Sequence, residues 1–177
     1  MASLYTRKGD QGQTVLTDGE KISKGDIQVE CYGTLDELKS YIGLSMAFIT
    51  EDGLAKELQY IQERLFILGG ILAHSKLVSI KAENQITAGD IRKLEQWIDQ
   101  KLAAMPPIRH FVGISTHKGS AVLDVARSIC RRCERSLVRM LEQKSIEVDS
   151  NVHAFLNRLS DYLFAASCWI RYVEKEE

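Results

Sequence analysis

Hydrophobic positions along most of the chain recur at three- and four-residue spacing, which places them on one face of an α-helix. Leu54, Leu58, Ile61, Leu65, Leu68 and Leu72 alternate four and three apart, as in left-handed bundle packing, and predict one helix. The Gly69-Gly70 pair within it reads as a weakening or as a place of close approach by a neighbour. An earlier stripe, Leu38, Tyr41, Ile42, Ser45, Met46 and Ile49, follows Thr34 and Glu37, which read as a capping box at the start of a helix. Thr87 with Asp90 opens a third helix through Ile91, Leu94, Trp97, Ile98 and Leu102, ended by Pro106 and Pro107. A fourth helix is expected from roughly Gly119 to Lys144. A fifth starts near Asp149 or Ser150 and carries Val152, Phe155, Leu156, Leu159, Leu163 and Ile170 on its buried side. Short connections between five such helices predict an all-α fold, an antiparallel five-helix bundle. No repeat or linker divides the chain, so residues 1–177 are expected to form one domain, with 1–32 as a loop segment and 33–175 as the bundle.

The first thirty residues differ in kind. Thr6, Arg7, Lys8, Gly9, Asp10, Gln11, Gly12, Gln13 and Thr14 are polar and punctuated by glycine, and the loop character continues past Asp18-Gly19 to Lys24-Gly25. A stretch this long without helix, next to a compact bundle, is either a flexible terminus or a functional loop. Glycines let backbone N–H groups turn toward a phosphate, and Thr6, Arg7, Lys8, Thr14 and Lys24 add hydroxyl and cationic donors. No Walker A pattern and no strand-borne Gly-x-Gly-x-x-Gly occurs in the chain.

The fourth predicted helix carries the densest chemistry. Between Arg127 and Arg135 lie four arginines and one glutamate. Helical spacing puts Arg127, Arg131, Glu134 and Arg135 on one side, opposite Val122, Val125, Ile129, Cys133, Ser136 and Met140. Guanidinium forks gathered in this way repel one another and suit a polyphosphate between them. The same face also reads as a solvated basic surface with Glu134 as intrahelical partner.

Composition narrows the field. Lys and Arg number 23 against 24 Asp and Glu, a net charge of −1, so the basic cluster is local and gives no bulk attraction to nucleic acid or anionic membrane. Aromatics are not interleaved with these cations, as a nucleic-acid face would require. No apolar run reaches membrane-span length and the first residues lack a secretory h-region, so a cytoplasmic location is expected. Cys31, Cys130, Cys133 and Cys168 form no disulfide framework. Cys130 and Cys133 have C-x-x-C spacing but lie inside a helix with no second pair, and buried or half-buried thiols are expected. The histidines, 74, 110, 117 and 153, are scattered and no Glu-x-x-His occurs, so no residue is assigned to a protein-held metal.

Three segments together resemble the PduO-type ATP:cob(I)alamin adenosyltransferases. They are Tyr5 to Thr14 with Tyr32 to Leu38, then Ala126 to Arg135, then Phe155 to Phe164, and the resemblance runs from about Leu4 to Tyr172 in order and spacing. It implies a ferritin-like five-helix bundle with an extended N-terminal nucleotide-binding loop, assembled as a homotrimer with ATP at the subunit interface. It also implies that Thr6, Arg7, Lys8, Gly9, Thr14 and Lys24 wrap the nucleotide. Arg131, Arg132, Glu134, Arg135 and Asn157 would complete the site from the neighbouring chain. Asp36 and Arg127 match an intersubunit salt bridge beside the corrinoid, although an acid at Asp36 is also ordinary helix-dipole chemistry. Phe111 matches an aromatic that closes the lower face of the corrin ring, and read by itself is equally a core phenylalanine.

The implied reaction is transfer of the 5′-deoxyadenosyl group of ATP to cob(I)alamin, with release of triphosphate. ATP, Mg2+ and cobalamin are the small molecules; a reductase and an adenosylcobalamin-dependent enzyme are the implied protein partners. Cobalt(I) needs no activating base, so the expected catalytic group is Arg127, Arg131, Asp36 and Phe111, which orient, neutralise charge and exclude a lower ligand. Three positions leave the family pattern. Gly113 to Thr116 stands where Leu-Pro-Gly-Gly is common, Lys8 replaces a threonine, and Lys39 replaces an asparagine. The altered 113–116 stretch motivates the alternative, a non-catalytic trimeric ATP/corrinoid-binding carrier or sensor.

Overall fold

Capping side chains and the burial of apolar stripes set where each element begins and ends. The computed structural model describes Tyr5 and residues 7–76, 85–110, 112–113, 115–144 and 148–174. Among them, a short hairpin of β1 (Gln13–Val15) and β2 (Lys21–Ser23) precedes α1 (Ile27–Met46), α2 (Asp52–Leu72), α3 (Ala88–Ala104), α4 (Lys118–Lys144) and α5 (Ser150–Val173). The hairpin is antiparallel with Thr14 opposite Ile22. Sequence reading expected no regular structure there; strands of three residues are too short to leave an alternation that can be recognised.

α1 starts at Ile27, not at Thr34. Asp26 is its N-cap, accepting from Gln28 N at 2.8 Å, and Thr34 lies inside the helix with its hydroxyl donating to Glu30 O at 2.8 Å. Cys31 and Leu35 are both buried and extend the stripe of Leu38 and Ile42 one turn back, so packing carries the helix through Gly33. The expected boundary between loop and bundle at residue 32 therefore falls inside α1. α2 runs unbroken through Gly69 and Gly70. α3 begins with the predicted capping box, in which Asp90 N donates to Thr87 Oγ1 at 3.3 Å and Thr87 N donates to Asp90 Oδ2 at 2.7 Å. It ends where Met105 turns extended before Pro106, as the proline ring requires. α5 is capped by Asp149, which accepts from Asn151 N at 2.8 Å.

α4 packs between α1 and α5, with α2 against α1 and α3 against α5. Its central place widens its buried face to Leu123, Ala126, Ile129, Cys130, Cys133, Ser136, Leu137 and Met140. Val125, expected on the buried side, is 43% exposed, because a helix flanked by two neighbours centres its apolar face between them. All four cysteines are free and buried, as expected of C-x-x-C inside a packed helix. No described helix is long and apolar enough to cross a membrane.

Candidate functional site

The residues singled out in the N-terminal segment converge. Lys8, Gly9, Thr14 and Lys24 line one recess of about 870 Å³ together with Gln11, Gln13 and Lys21. Backbone bonds shape it: Gly12 N donates to Gly9 O at 3.2 Å and Lys24 N to Gly12 O at 2.8 Å. Gly12 takes a φ of +75°, open to glycine at little cost. Arg7, a non-glycine residue, is held at a φ of +60° with its guanidinium 5.6 Å from the Tyr5 ring centroid. Backbone strain of that kind concentrates at binding sites. Thr6 lies outside the described residues. Lys21 was not singled out from sequence, because only the hairpin brings β2 alongside the loop, whereas Gln11 and Gln13 belong to the loop stretch itself.

The hairpin is tied to the bundle at both of its ends. Thr17 donates through N and Oγ1 to Ala73 O, at 2.9 and 3.1 Å, covering a carbonyl at the end of α2. Asp26 pairs with Lys144, the last residue of α4, at 2.9 Å. Burial raises the Asp26 carboxyl, but the Gln28 amide and the Lys144 charge outweigh it, and the net pKa is lowered.

The arginines stand further back on α4. Arg131, Arg132 and Arg135 are exposed and Arg127 is half-buried. Among the described residues Arg127, Arg131 and Arg135 form no ion pair, and the buried Nε of Arg127 has no hydrogen-bond partner. Arg132 pairs with Glu37 of α1. Glu134 accepts from Asn157 Nδ2 at 2.9 Å and lies 3.5 Å from His153 Nε2, so the structure joins the two residues that the sequence placed together across α4 and α5. Arg135 lies between two open recesses, one with Glu37 and Arg132, the other with Glu134, Arg139 and His153. Arg139 was missed, although it lies one helical turn beyond Arg135 and its spacing could have shown it.

Arg131 is thirteen residues before Lys144, roughly 20 Å along α4 at 1.5 Å per residue, whereas Lys144 is where α4 meets the residue after the hairpin. Within one chain Arg131 is therefore set far along α4 from the point where the hairpin meets it. Nor does one chain pair Asp36 with Arg127; Asp36 instead meets Lys39 at 2.9 Å.

Asp36 and Lys39 edge a third feature, a groove of about 500 Å³ between α1 and α2 lined by Tyr32, Leu35, Leu65 and Phe66. Gly33 and Gly70, neither with an atom within 4 Å of a would-be Cβ, leave the groove open. Phe66 is 72% exposed beside it, with the Lys39 ammonium 5.8 Å from its ring centroid. Phe111 lies outside the described residues. Among the described residues no cluster of three His, Cys, Asp or Glu could hold a metal ion.

The described chain thus carries a lysine- and glycine-lined loop recess, an arginine stripe on α4 and an apolar groove between α1 and α2. The chain belongs to the cobalamin adenosyltransferase family, whose profile matches residues 4–170. It is 40% identical over 165 residues to a corrinoid adenosyltransferase of Citrobacter freundii, covering 93% of each chain. It is 41% identical over 179 residues to the human corrinoid adenosyltransferase MMAB, covering 98% of this chain and 70% of that one. Among solved structures it resembles a variant PduO-type ATP:corrinoid adenosyltransferase from Lactobacillus reuteri complexed with cobalamin and ATP. The TM-score is 0.87 and the identity 32%, over 99% of this chain and 97% of that one. A second variant of that enzyme, complexed with ATP, matches with a TM-score of 0.87 and 34% identity over 98% and 97%.

Proposed function

We propose that the protein transfers the 5′-deoxyadenosyl group of ATP to cob(I)alamin, forming adenosylcobalamin and releasing triphosphate. The observation that supports this reading is the presence on one chain of two cationic features, the lysine-lined loop recess and the arginine stripe of α4. The activity shared by the named relatives supports it.

In the reaction the cobalt(I) lone pair attacks C5′, the cobalt–carbon bond forms, the C5′–O bond breaks, and its electron pair leaves with triphosphate. No general base is needed. The chain's tasks are to align C5′ and to neutralise the charge that grows on the leaving group. Thr6, Arg7, Lys8, Gly9, Thr14 and Lys24 wrap the nucleotide of one subunit. Arg131, Arg132, Arg135 and Glu134 with Asn157 close over it from the next, which makes the working form a homotrimer. The roughly 20 Å along α4 between Arg131 and Lys144, which meets the residue after the hairpin, supports sharing between subunits. Magnesium keeps mostly water and phosphate oxygen as ligands, so it would come with the triphosphate and take at most one carboxylate here, which would be Glu134 through the oxygen not facing Asn157 and His153. When bound, it adds charge neutralisation to that of the arginines.

The corrinoid lies against the apolar groove at Asp36, with Arg127 of the neighbouring subunit completing the pair and Phe111 excluding a lower axial ligand. Loss of that ligand makes cob(II)alamin easier for a reductase to convert to cob(I)alamin. The product then passes to an adenosylcobalamin-dependent enzyme. The cytoplasm is the proposed location, and four unpaired thiols suit its reducing conditions.

The test is complementation within mixed trimers. Lys24→Ala and Arg131→Ala chains, each inactive alone, should recover part of the activity when co-assembled, because some interfaces then carry both intact halves. A monomer in sedimentation that still turns over excludes the shared site. Binding of ATP and cob(II)alamin without turnover of chemically reduced cobalamin would favour the carrier.

A further inference from the structure

The end of α5 grips two residues ahead of α4, Gly113 and His117. Arg171 Nη1 donates to Gly113 O at 2.8 Å. The same guanidinium donates from Nε to Ser120 Oγ at 2.7 Å and from Nη2 to Asp124 Oδ2 at 2.9 Å and Ser167 Oγ at 3.0 Å. Three residues on, Glu174 Oε2 lies 3.2 Å from His117 Nε2, while His117 Nδ1 accepts from Ser120 N at 3.2 Å. The other oxygen of Glu174 accepts from Thr50 and Glu51 at the start of α2, so the grip is anchored in the bundle.

Holding α5 to α4 would need only the bonds to Ser120 and Asp124, the bond to Ser167 lying within α5. The bond to Gly113 O does something else: it fixes the backbone at a glycine that lies in no helix or strand and has nothing within 4 Å of a would-be Cβ. Four bonds in three directions use the planar fork of arginine, and a lysine ammonium cannot reproduce them. Arg171 is only 22% exposed. It stands outside the segments that carry the family resemblance, whereas Gly113 begins the stretch where this chain leaves the family pattern and follows Phe111 by two residues.

We infer that Arg171 is a positioning residue that holds the backbone at Gly113, and through it the corrinoid-closing side of the site, without acting on ATP. This rests on the proposed function above. The experiment compares Arg171→Ala, Arg171→Lys and Ser167→Ala with the unaltered trimer, starting either from chemically pre-reduced cob(I)alamin or from cob(II)alamin with reductant. Hydrogen exchange of residues 112–117 is followed in parallel. Arg171→Ala should speed exchange there and slow the cob(II)alamin reaction by about tenfold or more, as for a misplaced positioning group. Its cob(I)alamin rate and KM for ATP should change by less than about twofold, within ordinary variation of a group remote from ATP. Ser167 Oγ also donates to Asp124 Oδ1 at 2.8 Å and lies 2.9 Å from Ser120 Oγ, so Ser167→Ala cuts the same α4–α5 network but spares the Gly113 bond, and should behave as the unaltered protein. Should Arg171→Ala fail to fold, Arg171→Lys keeps a cation beside Asp124 and is expected to show the same split. Equal slowing of both reactions, or the same loss in Ser167→Ala, overturns the positioning role in favour of plain helix packing. Unaltered protein that adenosylates neither form overturns the proposed function itself, a distinct result.

Discussion

The ammonium of Lys24 occupies the space that a side chain at Gly9 would need: a Cβ there would lie 2.9 Å from Lys24 Nζ and 3.5 Å from Gln13 O. The glycine and the lysine are thus parts of one arrangement, in which the loop backbone comes close enough for a single cation to stand over it. Gly9→Ala should push the ammonium aside without disturbing the bundle, since the displaced atom is the free end of a flexible chain. The expected result is a KM for ATP raised by about tenfold, the loss of roughly 1.4 kcal/mol of binding, with a Tm close to the original. Steady-state kinetics and a melting curve decide it; an unchanged KM would remove Lys24 from nucleotide binding.

Arg131 and Arg132 are neighbours with different surroundings. Arg132 is engaged by Glu37, whereas Arg131 forms no ion pair among the described residues. If Arg131 meets the leaving triphosphate, Arg131→Ala should lower kcat by at least about a hundredfold, a preorganised charge donor being worth roughly 3 kcal/mol. Stability should hardly move, because an exposed arginine contributes little to the fold. Near-normal turnover by folded Arg131→Ala would take it out of the mechanism.

Much of this was legible in the sequence because helices bury periodic stripes: Leu54 to Leu72 announce α2, and Thr87 with Asp90 announce the start of α3. The start of α1 was misread because Thr34 and Glu37 have the spacing of a cap, while the true cap, Asp26, sits among residues of loop composition. Val125 was misplaced because a stripe read from one helix does not reveal that α4 has two neighbours. Lys8, Gly9, Thr14 and Lys24 were found by residue type and meet in one recess, whereas Lys21 needed the hairpin to bring it there. The grip of Arg171 on Gly113 joins residues far apart in the chain through a backbone carbonyl, and no side-chain pattern encodes that.

The C-x-x-C thiols offer a direct check on burial. Burial pushes the Cys130 thiol well above its ordinary range, with Glu134 adding to the shift and Arg131 opposing it. The contact with Cys31, together with burial, raises Cys133. Since the thiolate is the reactive form, native protein should react with an aromatic disulfide reagent only slowly, and all four thiols should appear on denaturation. A fast-reacting pair in the native protein would contradict this account of α4.

Acid stability should depend on Asp90, where α2 and α3 meet. Burial alone would raise its carboxyl, but the Tyr60 hydroxyl, the amide and hydroxyl of Thr87 and the charge of Arg64 outweigh that, leaving the pKa below its ordinary value of 3.8. Tyr60, half-buried and donating to Asp90, is pushed up to about 12. A carboxylate with a lowered folded-state pKa contributes stability that is fully present above its unfolded value and is lost as pH falls through the folded one. The gap in Tm between the original protein and Asp90→Asn should therefore be widest near neutrality. There the lost bonds cost about 1–3 kcal/mol, and the gap should narrow below pH 3.8. Tyr60→Phe removes one of the bonds that lower the pKa, so its acid edge should move to higher pH. Melting curves that stay parallel from neutral pH into acid would show that Asp90 is not held in this way, and the cap of α3 would then draw its stability from Thr87 and packing alone.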